Sequence, residues 1–175
     1  MGLPGLMIPE EYGGSGLGVL EASLVAEQLG SYAVPSPWIG NSIMAPTAIL
    51  FDRENNLAEK WLPLIASGEI TACVSLSEVV GKRSDLGLVL DSKNVSGVSI
   101  FGIDGELNPA IIITAVDDNL ILVETDNNGV EINEIPTIDT TRPVVEIIFN
   151  SSKCQIIPGG KDAIQKTIDV GRIGL

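Results

Sequence analysis

The alternation of apolar and polar positions changes character twice along the chain. Up to about residue 69 the period is helical. From 70 to 157 short β-rich runs alternate with Gly, Asn and Asp turns. At Pro158-Gly159-Gly160 a helical pattern resumes. These shifts predict three sections: 1–69, 70–157 and 158–175.

In the first section Gly13-Gly14-Ser15-Gly16 precedes a helix expected over about Leu17 to Gly30, with Ser15 as N-cap and Gly30 just past its end. Wound at about 100° per residue, Leu17, Leu20 and Leu24 gather on one side of this helix. Ala22, Val25, Ala26 and Leu29 gather on much of the other. A surface helix carries one apolar stripe, so two stripes predict partners on two sides. Ile39 to Phe51 is apolar but weakly patterned. A further helix through Leu57–Trp61 should stop at Trp61 or Leu62, because Pro63 lacks an N–H.

The middle section predicts strands at Thr71–Ser77, Gly87–Leu90, Val95–Phe101, Ala110–Ala115, Asn119–Glu124, Val130–Pro136, Val144–Phe149 and Lys153–Ile156. Asp117-Asp118-Asn119 and Asp126-Asn127-Asn128-Gly129 suit the turns. Short strands at regular spacing point to a small antiparallel barrel or sandwich, so the fold class expected is α+β. The last section has Ala163, Ile164, Ile168 and Ile173 at helical spacing and ends without a cap signal, as a truncated helical segment would.

Composition narrows the chemistry. The 175 residues carry 10 Lys plus Arg against 23 Asp plus Glu, a net charge of −13. Such acidity disfavours nucleic acid and anionic membrane as partners, since both demand a basic surface. The three sections carry net charges of −6, −8 and +1, and Lys82-Arg83 is the one adjacent cation pair of its kind. There is no histidine. That removes Ser-His-Asp and Cys-His catalysis and His-containing zinc sites from this chain. Two cysteines, Cys73 and Cys154, make neither a disulfide framework nor a Cys₄ site, so no metal is expected. With no basic leader and no apolar run of about 18 residues, the chain reads as soluble and cytoplasmic.

Several strings, in this order, resemble the acyl-CoA dehydrogenases. Gly5-Leu-Met-Ile-Pro-Glu-Glu-Tyr-Gly-Gly-Ser-Gly-Leu-Gly18 resembles the family's N-domain signature. Lys60-Trp-Leu-Pro-Leu-Ile-Ala-Ser-Gly-Glu69 is similar to the segment leading into its β domain. Val74-Ser-Leu-Ser-Glu78 with Ser84-Asp85 resembles its flavin-binding loop. Ile138-Asp-Thr-Thr-Arg142 with Val144–Phe149 resembles the strand pair that closes that domain. The resemblance implies part of an N-terminal helical domain (1–69), a middle β-barrel domain (70–157) and the first helix of a C-terminal helical domain (158–175). It also implies FAD as cofactor and an acyl-CoA thioester as substrate. The reaction would take a proton from Cα and pass a hydride from Cβ to flavin N5. An electron-transfer flavoprotein or similar acceptor and a homo- or hetero-oligomer come with it.

By the same resemblance Val74, Leu76 and Ser77 flank the flavin ring, and Ser84 reaches the pyrophosphate or the acyl-CoA. Phe101 and Ile103 match a second flavin strand that in the family reads Trp-Ile-Thr-Asn; Ile103 brings no hydroxyl. The family's Pro-Gly-Ala-Gly is replaced by Val79-Val-Gly-Lys-Arg83, where Lys82 and Arg83 could substitute charge for lost backbone donors. No carboxylate is assigned as the Cα base; Glu78 reads as a structural or solvated loop carboxylate. Arg142 is expected to pair with Asp139, and Trp38 and Trp61 to anchor the core. Two other readings stand beside this one: a degenerate partner subunit of a heteromeric dehydrogenase, and a stand-alone barrel binding module.

Overall fold

The computed structural model describes residues 2–52, 56–76, 87–126 and 129–174. Its helices are α1 (Val19–Ser31), α2 (Ala45–Ile49), α3 (Leu57–Ser67) and α4 (Gly160–Ile173), with a π-helical stretch at Trp38–Met44 running into α2. Its strands are β1 (Ala72–Ser75), β2 (Leu88–Asp91), β3 (Asn94–Ile103), β4 (Ile111–Val116), β5 (Asn119–Glu124), β6 (Val130–Ile135) and β7 (Val144–Ile157).

The strands form one sheet in the order β2-β3-β1-β4-β5-β7-β6, and β3 also pairs with β7. That extra pairing closes β3, β1, β4, β5 and β7 into a ring, with β2 and β6 attached outside it. The sheet is not wholly antiparallel as expected: β1 runs parallel to β4, Ala72 opposite Ile111 through Ser75 opposite Thr114. A parallel neighbour needs a long crossover, which β2 and β3 supply.

Strands β1, β4 and β5 alternate between two apolar environments. Val74, Ile113 and Leu122 join the core shared with the helices. Cys73, Ile112 and Ile121 point into the barrel core with Val145, Ile147 and Phe149. Burial on both faces is why these runs read as nearly unbroken apolar sequence. On the helical side, Trp38, Ile43, Leu62, Ile65, Ile164 and Ile168 complete the first core, so α4 packs with the N-terminal helices on one face of the sheet.

Four local expectations are corrected. Val144–Phe149 and Lys153–Ile156 are one strand of 14 residues, β7. The turn-like Asn150-Ser151 between them is a bulge: Ser151 has φ +56°, and one extra β7 residue is accommodated between the pairs Gly97–Phe149 and Val95–Ser152. Helix α3 passes through Pro63 to Ser67 and ends on Gly68 at φ +74°. A mid-helix proline costs about 3 kcal/mol. Burying Trp61, Leu62 and Ile65 contributes about 1.5–3 kcal/mol each, and Pro63 itself faces solvent. The N-cap of α1 is Gly18, not Ser15; Glu21 reaches back 2.9 Å to accept the Gly18 N–H. Helix α1 then ends at Ser31, one residue past Gly30.

The glycine-rich string ahead of α1 folds back on itself. Gly16 donates to the Ile8 carbonyl at 2.8 Å and Leu17 to that of Leu6 at 3.0 Å. A side chain at Gly14 would sit 2.0 Å from the Ile8 oxygen, so this close approach requires glycine. Only one stripe of α1 is covered. Ala22 is buried and Val25, Ala26 and Leu29 pack on the core, whereas Leu17, Leu20 and Leu24 are 45%, 69% and 55% exposed. Among the described residues no helix is long and apolar enough to cross a membrane.

Candidate functional site

Four of the six expected flavin contacts fall on one patch of the β1–β3 pair. Val74 lies opposite Ile103 in the single bridge that joins these strands. Opposite residues of an antiparallel pair share a face, as do residues two apart. Leu76 follows Val74 by two just past the end of β1, and Phe101 precedes Ile103 by two inside a bulge of β3. Val74 and Leu76 are buried, Ile103 is half-buried, and Phe101 is 53% exposed. Ser77 and Ser84 lie outside the described residues, as do Glu78, Lys82 and Arg83.

Phe101 has φ +60°. The left-handed region costs a non-glycine residue about 1–2 kcal/mol. The cause is a bulge: three steps along β3, Ser99 to Gly102, oppose two along β7, Ile147 to Val145. The bulge interrupts the ladder beside the Val74–Ile103 bridge and turns the aromatic ring outward. Phe101 is thus not a core residue. On the opposite face of the same strands, the hydroxyls of Ser75 and Ser99 are 2.7 Å apart in the barrel interior.

Sequence reasoning missed the polar contact that ties this patch to the helices. Asp104 Oδ2 accepts the backbone N–H of Gly40 at 2.8 Å and of Asn41 at 3.0 Å. Asn41 in turn accepts the Ala72 N–H at 2.9 Å through Oδ1. The start of β1, the end of β3 and the π-helical stretch are thereby fixed to one another. A side chain on Gly40 would sit 2.8 Å from Asp104 Oδ2 and 2.9 Å from the Ile103 oxygen. Burial pushes the Asp104 carboxyl up to about 6; the Asn41 N–H pulls the other way, the neighbouring Glu106 raises it further, and the Gly40 N–H and Arg142 lower it. The available signal was an acid standing between Gly102 and Gly105, where the resembling strand carries Asn.

Beside Ile103 opens a cavity of about 530 Å³, walled by Pro35–Pro37 and Ile39 on one side and Thr141–Val144 on the other, with Asp104 and Glu106 lining it. Arg142 lines this cavity and makes no ion pair with Asp139. Asp139 instead accepts the Thr141 hydroxyl at 2.6 Å and the Thr141 N–H at 2.9 Å. Those two bonds, more than the Arg142 charge, hold its carboxyl below the usual range. Trp38 and Trp61 are buried, as expected, and the Lys60 ammonium lies 4.2 Å from the Trp61 ring centre. Both cysteines are free; burial pushes the Cys73 thiol far up, with Asp104 and Glu106 adding to it, and raises that of Cys154. The described residues contain no group of three or more candidate metal ligands.

Comparison with known proteins bears on what this arrangement belongs to. Residues 1–69 match the family model for the acyl-CoA dehydrogenase N-terminal domain. The acyl-CoA dehydrogenase FadE12 of Mycobacterium tuberculosis is 34% identical over 84 residues, 45% of this chain and 20% of that protein. The first 69 residues of this chain thus resemble the acyl-CoA dehydrogenase N-terminal domain. The fold extends the likeness across the whole chain. An acyl-CoA dehydrogenase complexed with FAD from Bacillus anthracis superposes with a TM-score of 0.80 at 20% identity, covering 99% of this chain and 33% of that one. A structure described as the electron transferring flavoprotein of Acidaminococcus fermentans gives 0.81 at 22%, covering 99% and 52%. The matches therefore span between a fifth and about half of the length of these proteins. These proteins share the α+β architecture of this chain, helices against a small barrel.

Proposed function

We propose that this chain supplies the flavin-facing barrel edge of an FAD-dependent acyl-CoA dehydrogenase. The observation that carries the reading is Phe101: an aromatic residue held at φ +60° with its ring exposed, beside the Val74–Ile103 bridge. Strained residues that stay ordered cluster at ligand sites. An apolar patch with one exposed ring suits a flat aromatic partner, and the ladder interrupted at the bulge leaves main-chain groups to meet its polar edge. The structure of the Bacillus anthracis relative contains FAD.

In this reading Val74, Leu76, Phe101 and Ile103 pack against the ring. Ser77 and Ser84 supply hydroxyls to the polar parts of the cofactor, and Ser84 also reaches the acyl-CoA. Lys82 and Arg83 replace backbone donors at the pyrophosphate by charge. Bound flavin would accept the hydride from Cβ of the thioester. No carboxylate of this chain is assigned the Cα proton. Domain boundaries at 69/70 and 157/158, an electron-transfer flavoprotein or similar acceptor, and a homo- or hetero-oligomer complete the proposal.

Ile103 favours a second reading. It stands where the resembling strand has Thr and offers no hydroxyl, which suits a partner subunit of a heteromeric dehydrogenase that holds little flavin itself. Titration with FAD, followed by flavin fluorescence, separates the two. The first reading expects saturable binding. Lys82→Ala with Arg83→Ala should weaken it at least about tenfold, or ~1.4 kcal/mol, and Phe101→Ala by about fivefold, or ~1 kcal/mol. Ile103→Thr should strengthen it. Absence of saturable binding would leave the second reading.

A further inference from the structure

The cavity beside Ile103 is of ordinary size for a small organic ligand. Its walls are mostly apolar, but two carboxylates interrupt them. Asp104 is only 5% exposed, and Oδ2 takes both of its backbone N–H bonds; among the described residues none donates to its other oxygen. Glu106 has Oε2 buried with no hydrogen-bond partner. A buried acceptor left without a donor costs roughly 1–3 kcal/mol, so a ligand that brings donors recovers that cost.

The third charge is Arg142, on the rim and exposed. Among the described residues no carboxylate lies within 4.0 Å of its guanidinium. With both acids ionised, the three side chains leave one net negative charge, which a single cation neutralises. A smaller groove adjoins the cavity through Pro35, Thr141 and Arg142, and is lined by Trp38, a 5% exposed residue whose indole N–H has no partner. Fewer than three metal-ligating side chains converge here, so an organic cation suits the site better than a metal ion.

We propose that this cavity binds a small organic cation: a primary ammonium donating to Asp104 and Glu106, with a short apolar tail against Ile103 and Leu107. The ammonium supplies three donors to acceptors that lack them, and charge-assisted bonds in a water-poor pocket are the strong ones. The proposal does not depend on flavin, and its test omits flavin.

The test is an NMR titration of the 15N-labelled chain with n-butylammonium chloride at fixed ionic strength. Butyrate and 1-butanol, of the same tail length, serve as controls. Butylammonium should shift the Gly40 and Asn41 amide signals saturably, since both amides bond to Asp104. Butyrate should not, and 1-butanol should bind at least about tenfold more weakly. Asp104→Asn with Glu106→Gln should weaken butylammonium by about tenfold or more. If that pair fails to fold, Glu106→Gln alone, which removes no hydrogen bond of the fold, should weaken it about threefold. Equal affinity for butanol and butylammonium, unchanged affinity in the variant, or no saturable shift would each overturn the proposal.

Discussion

Asp104 and Gly40 stand 64 positions apart in the chain, yet the Gly40 N–H donates to Asp104 Oδ2 across 2.8 Å. This bond fastens the end of β3 to the π-helical stretch, and it involves a buried acid whose proton is held up to about pH 6.

A pH dependence follows. The folded chain holds the Asp104 proton more tightly than the unfolded chain, whose carboxyl titrates near 4. Its contribution is therefore fully present below about pH 4 and is lost as pH rises through about 6. A shift of roughly two units corresponds to about 3 kcal/mol at most. Asp104→Asn keeps an oxygen for the Gly40 and Asn41 N–H groups and removes the buried charge. We expect parent and variant to match in urea at pH 4, and the variant to be more stable by about 1–3 kcal/mol at pH 7.5. A stability difference independent of pH would contradict this.

Gly40→Ala attacks the same junction by volume. The new methyl would press on Asp104 Oδ2 at 2.8 Å and on the Ile103 oxygen at 2.9 Å. Asp104 Oδ2 cannot retreat without straining its two buried bonds to Gly40 and Asn41. The expected cost is about 2–3 kcal/mol, measured by denaturant midpoint. A midpoint within error of the parent would mean the junction is softer than its distances indicate.

The uncovered stripe of α1 should drive association. Leu17, Leu20 and Leu24 form a contiguous exposed apolar face, extended by Tyr32 at 77% and Val34 at 45%. Light scattering should show concentration-dependent mass. Leu20→Lys with Leu24→Lys should reduce it while changing stability by no more than about 0.5 kcal/mol, because neither side chain serves the core. A strictly monomeric parent would refute the assignment.

Cysteine reactivity gives an independent check of burial. Cys73 is 0% exposed and Cys154 7%, and burial disfavours the thiolate of both. A thiol reagent at pH 8 should label neither within minutes in the folded chain and both promptly in urea. Prompt labelling of folded Cys73 would mean the barrel interior opens readily.

The strands were legible because β1, β4 and β5 are bounded by turn residues and mostly apolar. Their partners were not. The parallel β1–β4 pair is a tertiary choice that no local run of Ala72–Ser75 encodes. Asn150-Ser151 carries turn chemistry, yet strands pair with β7 on both sides of it, so the chain bulges there instead of turning. Pro63 announces a helix end that buried Leu62 and Ile65 override. Trp38–Met44 showed no period because all seven residues are buried. Of the site, the resemblance supplied Val74, Leu76, Phe101 and Ile103, and the register pairs Val74 with Ile103. The Asp104–Gly40 bond left no trace in spacing, since contacts over such separations follow from the fold alone.

Strand β7 has a consequence for the chain as it is made. The open sides of β3 and β5 both await Val144–Ile157, which follows them by tens of residues. Until that segment leaves the ribosome, a translating chain carries two unsatisfied strand edges, the feature most prone to pairing with a stranger. Ring closure over such separations is also intrinsically slow. The vulnerable interval in the life of this barrel therefore runs from the emergence of β5 to that of β7.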